Sequence, residues 1–159
     1  IYAYEPHLIE VGRYPISVDY SRTLEEMIAA GKYDWKNNNI NIINFPPPAG
    51  GWGSCIVNLD VELACFNRFT ELDEILYEFD LCDRRPGVLP ELLAVGANYP
   101  SKQIESPIVQ IGSVWPDLQR GGMRGVYLRR GNKERGLAFI WLEHGFPGYY
   151  RFIAHMKKV

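Results

Sequence analysis

The sequence predicts an α+β fold in which an antiparallel-dominated sheet carries two or three packed helices. Three features lead to this class. Residues 55–65 alternate between apolar and polar side chains over eleven positions, the period of a strand with one buried face. Residues 70–80 place apolar side chains at helical spacing. After residue 100 the connections are short and Gly-rich, which suits hairpins better than helical crossovers.

The first elements of the chain form a β-α unit. Alternating residues over 14–20 predict a strand, and a helix follows over 23–31. Thr23 and Glu26 have the spacing of a capping box at the start of this helix. Gly31 is placed to end it in the left-handed conformation.

A short strand and a loop follow. Residues 37–45 predict a strand entered from an Asn-rich turn, and FPPPAGGWGS at 45–54 is a loop because its prolines cannot donate ladder hydrogen bonds. Trp52, flanked by glycines, has no local residue to pack on. It is therefore either folded back on the core or offered to a partner.

The remaining elements complete the sheet. The core-facing residues of the strand over 55–65 are expected to be Cys55, Val57, Leu59, Val61, Leu63 and Cys65. The next helix is capped by Thr70 and buries Leu72, Ile75, Leu76 and Phe79. A shorter helix has Pro90 in its first turn. Four strands follow, over 107–112, 125–129, 137–142 and 149–156. Residues 1–159 are expected to form one domain.

Composition excludes several classes of protein. The longest apolar run is LAFIWL at 137–142, far below the roughly 20 residues that a membrane-spanning helix needs, so no membrane partner is expected. Three cysteines and the lack of an Asn-x-Ser/Thr acceptor favour a reducing, cytoplasmic setting. The cysteine spacing matches no zinc site, and neither a metal nor another cofactor is predicted.

Candidate catalytic residues are few. The sequence lacks the phosphate-binding, dinucleotide-binding, serine-hydrolase and zinc-protease motifs. His144 beside Glu143 is a candidate general base for a hydrolase or transferase, although a loop histidine is more often only solvated. Cys82 between Asp80 and Asp83 is a poor nucleophile, because adjacent negative charge disfavours the thiolate. The sequence therefore favours a non-catalytic protein over an enzyme.

Charge is divided unevenly along the chain. Residues 1–83 hold five basic and fourteen acidic residues, a net charge of −9, whereas residues 84–159 hold twelve and five, a net charge of +7. The basic residues concentrate in a predicted hairpin and are Arg120, Arg124, Arg129, Arg130, Lys133 and Arg135. Aromatic residues lie near them, namely Tyr127, Trp141, Tyr149 and Tyr150.

Two interpretations of this basic hairpin stay open. Arginines at a hairpin tip beside aromatic rings could hold a phosphate backbone and stack on bases, which predicts a nucleic-acid-associated protein. Four phosphate contacts, from Arg124, Arg129, Arg130 and Arg135, would give single-strand binding a log-log salt slope of about −3. The alternative is that the hairpin pairs internally with the acidic helix over 70–80. The overall acidity of the chain favours that alternative.

Several segments resemble a family of small uncharacterised bacterial proteins. The segments are VDYSRTLEEMIAAGKYDW at 18–35, RRPGVLPELLAVGANYP at 84–100, SPIVQIGSVW at 106–115 and the closing YYRFIAHMKK. This resemblance spans most of the chain and implies no activity.

A second pattern is similar to lectin-like carbohydrate- or protein-binding domains. The matching positions are Arg85, Glu91, Leu92, Trp115 and Arg151, and the terminal Cys of those domains is absent here. The likeness implies a binding function.

The sequence thus favours a small non-catalytic binding or interaction module whose partner is an unknown protein or small ligand. Its candidate ligand-binding residues are Trp52, Trp115 and Trp141 together with Arg124, Arg129, Arg130 and Arg135. The nucleic-acid-associated protein is the second hypothesis. The enzyme that uses His144 and Glu143 is the third.

Overall fold

A computed structural model describes residues 4–157 and shows an α+β architecture, as the sequence predicts. The strands are β1 Ile9–Asp19, β2 Trp35–Lys36, β3 Ile56–Cys65, β4 Arg84–Pro86, β5 Ile108–Pro116, β6 Met123–Arg130, β7 Arg135–Trp141 and β8 Arg151–Met156. The helices are α1 Leu24–Ala30, α2 Leu72–Leu81, α3 Leu89–Asn98 and α4 Lys102–Glu105. No helix within residues 4–157 has the length and apolarity needed to cross a membrane.

All eight strands belong to one sheet. Its order is β1-β3-β8-β5-β6-β7-β2, and β4 pairs with the end of β8. The β2–β7 and β5–β8 pairs are parallel, and the others are antiparallel. The four strands predicted after residue 100 correspond to β5, β6, β7 and β8.

The sheet has a core on each face. Helices α1 and α3 pack on one face through Leu24, Met27, Leu89, Leu92 and Leu93, which belong to the same core as Val126 and Leu128 of β6. Helix α2 packs on the other face through Ile75 and Phe79, which meet Phe66 and Phe152. Because β6 alternates, Tyr127 lies on the α2 face although its neighbours face α1 and α3.

The start of α1 is confirmed, and its end differs from the expectation. Thr23 Oγ1 accepts the amide of Glu26 at 3.1 Å, and the Glu26 carboxylate accepts the amide of Thr23 at 3.0 Å, which completes the capping box. The left-handed residue is Lys32 with φ of 50°, whereas Gly31 keeps a right-handed φ of −75°. The turn therefore comes one residue later than predicted.

Thr70 is not the N-cap of α2. Its amide donates to Phe146 O at 3.0 Å, and its carbonyl accepts from the Phe146 amide at 2.9 Å. This bridge holds Thr70 in extended backbone, so Glu71 occupies the N-cap position. The apolar stripe is narrower than predicted, since Leu76 is 39% exposed.

The Asn-rich turn is confirmed, but the strand predicted over 37–45 is wrong. Strand β2 ends at Lys36, and the following asparagines bind the backbone instead of leaving it to a ladder. Asn37 Oδ1 accepts the amide of Asn39, and Asn41 Oδ1 accepts the amides of Ile43 and Asn44. Such side-chain turns compete with strand pairing.

The strand over 55–65 is β3, an interior strand with a shorter buried face than predicted. Leu63 is fully buried, but Leu59 is only half-buried, and Cys55 precedes the strand and is exposed. The reason is the register. All of β3 pairs with β1, but only Glu62–Ala64 pairs with β8, so its first half projects past the rest of the sheet.

Candidate binding groove

A groove of about 860 Å³ opens between the start of α1, the start of α3 and the proline-rich loop. Loop residues Phe45, Pro46, Pro47, Pro48 and Trp52 form one side of it. Leu24 and Met27 of α1 and Val88, Leu89 and Pro90 at the start of α3 form the other. Strand β5 contributes Gly112, Ser113 and Val114. The lining is mainly apolar, as in sites that bind small molecules.

Trp52 stacks on Tyr20 within this groove. The two ring centroids lie 5.4 Å apart with an interplanar angle of 18°. The Tyr20 amide donates to Cys55 O at 3.2 Å, which fixes the end of the loop that carries Trp52 beside the end of β1. Trp52 is half-buried, so part of its ring still faces the groove. The Trp52 ring thus packs on a neighbour and stays partly accessible.

The amide donors at the start of α3 are already satisfied by the protein. Glu91 Oε1 accepts the Val88 amide at 2.8 Å, and Ser113 Oγ accepts the Leu89 amide at 3.0 Å. A ligand in the groove therefore meets the apolar side chains of α3 and finds no open anion site there.

The edge of the groove along β5 is a bulge. Strand β5 pairs with β6 at Gln110 and again at Trp115, and the residues between them leave the ladder. The buried Gln110 side chain holds this bulge by donating to Ser113 O at 2.7 Å and accepting the Ser113 amide at 2.8 Å. Gly112 is required here, since a Cβ would lie 2.4 Å from Gly87 O.

A buried ionic cluster lies behind the groove. The Glu91 side chain is 3% exposed, and its Oε2 lies 3.1 Å from an Arg85 guanidinium nitrogen and 3.2 Å from His155 Nε2. Burial raises the pKa of Glu91, but His155, the Val88 amide and Arg85 together outweigh burial and hold that pKa below its usual range. The cluster fixes α3 to β4 and β8, and it accounts for Arg85 and Glu91 of the lectin-like pattern.

Trp115 supports the groove from below without entering it. Its ring lies 5.0 Å from the ring of Phe139, which in turn lies 6.0 Å from that of Phe45. Phe45 lines the groove. Trp115 is therefore a packing residue, in contrast to its expected place among the ligand-binding residues.

Arg124 and Trp141 contact each other and are not free for a ligand. The Arg124 guanidinium lies 4.0 Å from the centre of the Trp141 ring, and its Nε lies 3.1 Å from the buried Asp117 Oδ2. The Arg124 side chain is 13% exposed. The expectation of a phosphate contact from Arg124 is corrected, because a carboxylate and an indole already neutralise and cover its charge.

Arg135 is also used internally. Its guanidinium donates to Gly31 O at 2.6 Å, to Gly96 O at 2.7 Å and to Pro100 O at 3.1 Å, and it lies 4.9 Å from the Tyr33 ring centre. These carbonyls lie at the ends of α1 and α3, where helices leave acceptors unpaired. Arg135 thus joins both helices to β7 and is not a ligand-binding residue.

Arg129 and Arg130 remain exposed at the end of β6. The acidic helix α2 does not pair with them. Its Glu74 and Glu78 contact Arg68, and its Asp80 contacts Lys157 at 2.6 Å. The alternative of internal pairing between the basic hairpin and the acidic helix is therefore wrong for residues 4–157.

Within residues 4–157, no hydrogen bond joins Glu143 or His144 to a Ser, Thr or Cys side chain. The Glu143 carboxylate accepts the Met123 amide. His144 is exposed in a 3₁₀ turn, with its ring 6.2 Å from that of Trp141. Glu143 holds the start of β6, which is a structural task.

One group of side chains has the spacing of a metal site. His7, Glu74 and Glu78 converge within 4.8 Å. The Arg68 guanidinium already lies beside both carboxylates, and Glu78 also accepts the Tyr4 hydroxyl at 2.8 Å and the Leu8 amide at 2.9 Å. The Arg68 guanidinium supplies the positive charge that a metal ion would bring, and Glu78 already accepts hydrogen bonds from Tyr4 and Leu8. The group therefore ties the N-terminal segment to α2.

Neither a protein-family model, nor a curated protein, nor a solved structure matches the chain. The geometry of the groove therefore carries the functional argument. Sequence reasoning singled out Trp52 but missed Tyr20, Met27 and Ser113, which line the same groove. Their signals, a strand end, a helix stripe and a strand bulge, each look ordinary in isolation.

Proposed function

We propose that this chain is a non-catalytic binding module whose groove takes a small molecule carrying a flat apolar ring. The observation that carries the proposal is the half-buried Trp52, stacked on Tyr20 at the side of an 860 Å³ groove. A flat ring would lie against the accessible part of the indole and against Leu24 and Met27.

The size and lining of the groove support a small molecule over a protein. Its volume falls within the roughly 300–1,000 Å³ of ligand sites, and concave apolar lining with few polar groups is their usual character. Asn44 and Ser113 supply polar groups at its edges.

The chemistry of the lining supports binding over catalysis. Burial raises the pKa of Tyr20, and the nearby Glu91 carboxylate raises it further. Tyr20 is thus a neutral phenol at physiological pH and suits packing, not proton abstraction. Among the described residues, the lining has no Cys or Lys, and its two aliphatic hydroxyl residues, Thr23 and Ser113, accept the backbone amides of Glu26 and Leu89.

N-phenyl-1-naphthylamine, an uncharged aromatic probe whose naphthalene ring is flat, tests the proposal by fluorescence titration. The folded protein is expected to bind it, and Trp52→Ala is expected to weaken binding by at least about tenfold, because a central aromatic contact is lost. Trp52→Phe keeps a flat ring and should retain most of the affinity.

Tyr77→Ala is the matched control, since Tyr77 is an exposed aromatic residue on α2, on the other face of the sheet. It should leave the affinity unchanged. Equal probe binding by the Trp52→Ala protein and the wild type, with both folded by circular dichroism, would overturn the proposal.

Two finer statements belong to the same proposal. The cytoplasmic setting is supported by three cysteines that are all free thiols. Membership of the small bacterial family is supported by the segments that carry the resemblance.

A further inference from the structure

A second surface lies away from the groove, at the ends of β6 and β8. It surrounds a depression of about 470 Å³, and we call it the aromatic-basic face. Its members are Tyr127, Arg129, Arg130, Tyr149 and Tyr150. Helices α1 and α3 do not cover it, because Tyr127 and Arg129 alternate onto the opposite side of the sheet and Arg130 is exposed at the end of the strand.

The charge of this face is not neutralised by the protein. No carboxylate within residues 4–157 lies at ion-pair distance from Arg129, Arg130 or Lys133. Glu105 borders the depression, but it lies 3.5 Å from Lys102 and 3.9 Å from Arg151. Glu134 is exposed at the hairpin tip and is the opposing charge there. The face remains net positive.

The register of the β6–β7 hairpin places two positive charges opposite each other, which destabilises the hairpin. Arg130 lies directly opposite Arg135 on the neighbouring strand, and like charges in that position destabilise a sheet. Backbone carbonyls satisfy Arg135. Arg130 has no such partner, so an anion from outside would relieve the repulsion.

Aromatic rings lie beside these arginines. Tyr149 is 62% exposed, and its ring centroid is 5.1 Å from that of Tyr150. Tyr150 is nearly parallel to Tyr127, at an angle of 13°. The guanidinium of Arg129 lies 5.4 Å from the Trp35 ring, which holds it along the strand. Exposed aromatic rings can stack on nucleic-acid bases while neighbouring cations bind the phosphates.

We infer that the aromatic-basic face binds single-stranded nucleic acid. A single strand presents phosphates to Arg129 and Arg130 of this face and to Lys133, which lies in the β6–β7 turn beside Arg130, and it presents an unpaired base to Tyr149. A duplex would hide its base faces, and an acidic protein would leave the tyrosines without stacking partners. The inference uses a surface that is separate from the Trp52 groove and goes beyond the function proposed for it.

Fluorescence anisotropy with labelled oligothymidylate at increasing salt tests this inference. Three phosphate contacts predict a log-log salt slope of about −2, at about −0.7 for each contact. The double variant Arg129→Ala/Arg130→Ala should flatten the slope to about −0.7. Tyr149→Ala should weaken binding at least about fivefold, and Tyr149→Phe should not, because a phenyl ring stacks equally well.

Arg120→Ala is the matched control, since its side chain is 64% exposed on another turn, and it should keep the wild-type slope. Trp52→Ala should also bind oligothymidylate normally, which separates this test from that of the groove. The inference is overturned by no binding at low salt, by an unchanged slope in the double variant or by an unaffected Tyr149→Ala protein. Equal affinity for a duplex or for polyglutamate would also overturn it.

Discussion

Glu91 shows how one buried carboxylate can hold several elements together. It accepts the Val88 amide at the start of α3, pairs with Arg85 of β4 and faces His155 of β8. A carboxylate that accepts hydrogen bonds in its charged form gains stability from that charge. The start of α3 forms one side of the groove, so the cluster also fixes the shape of the binding site.

Glu91→Gln is expected to lower the free energy of unfolding at pH 7 by about 1.5–3 kcal/mol, because the amide keeps an acceptor for Val88 and loses the charge. The folded protein depresses the pKa of Glu91. Its charge therefore stabilises the fold above the ordinary glutamate pKa of about 4.3 and ceases to do so as pH falls through the lower folded value.

Urea unfolding of the wild type and Glu91→Gln between neutral and acidic pH measures this contribution. The difference between the two proteins should be full above about pH 5 and shrink below about pH 4. A difference that stays constant to the most acidic point would show that the Glu91 charge does not contribute.

At the scale of elements, the β6–β7 hairpin uses its arginines in different ways. Arg135 donates to carbonyls at the ends of α1 and α3, whereas Arg129 makes a cation–π contact with Trp35 at the surface. The two residues are nearly opposite each other in the hairpin, with Arg129 facing Gly136. Their contributions to stability should therefore differ although their residue type and neighbourhood in sequence are alike.

Arg135→Ala is expected to lower the free energy of unfolding by roughly 2–4 kcal/mol, because helix-end carbonyls lose a charged donor. Arg129→Ala should change it by only ~0–1 kcal/mol, as for an exposed charge. Urea unfolding compares the two variants. Equal losses in both would show that the carbonyl contacts of Arg135 do not hold the helices.

The elements that the sequence predicted share a sustained local pattern. The alternation of β3 and the capping box of α1 each depend on residues close in the chain. Strand β4 and helix α4 were missed because they have three and four residues, too few to show a period. The strand expected over 37–45 does not form because Asn side chains accept the backbone amides there.

At the scale of the whole molecule, both candidate surfaces come from distant parts of the chain. The groove joins Tyr20, Trp52, Val88 and Val114, and no local pattern relates these positions. More of the aromatic-basic face could be predicted, because the charge and aromatic character of Arg129, Arg130, Tyr149 and Tyr150 are visible in the sequence. The sequence could not show which arginines are paired within the fold, since the carbonyls that accept hydrogen bonds from Arg135 belong to other elements.

An amide NMR titration with the uncharged probe N-phenyl-1-naphthylamine tests the central claim of a binding groove most directly, because it locates the probe on the folded chain. The predicted result is a set of saturable shifts at Trp52, Leu24, Leu89 and Val114, with Tyr149 and Arg129 unmoved. Shifts confined to the aromatic-basic face, or no shifts at saturating probe, would contradict the assignment of the groove.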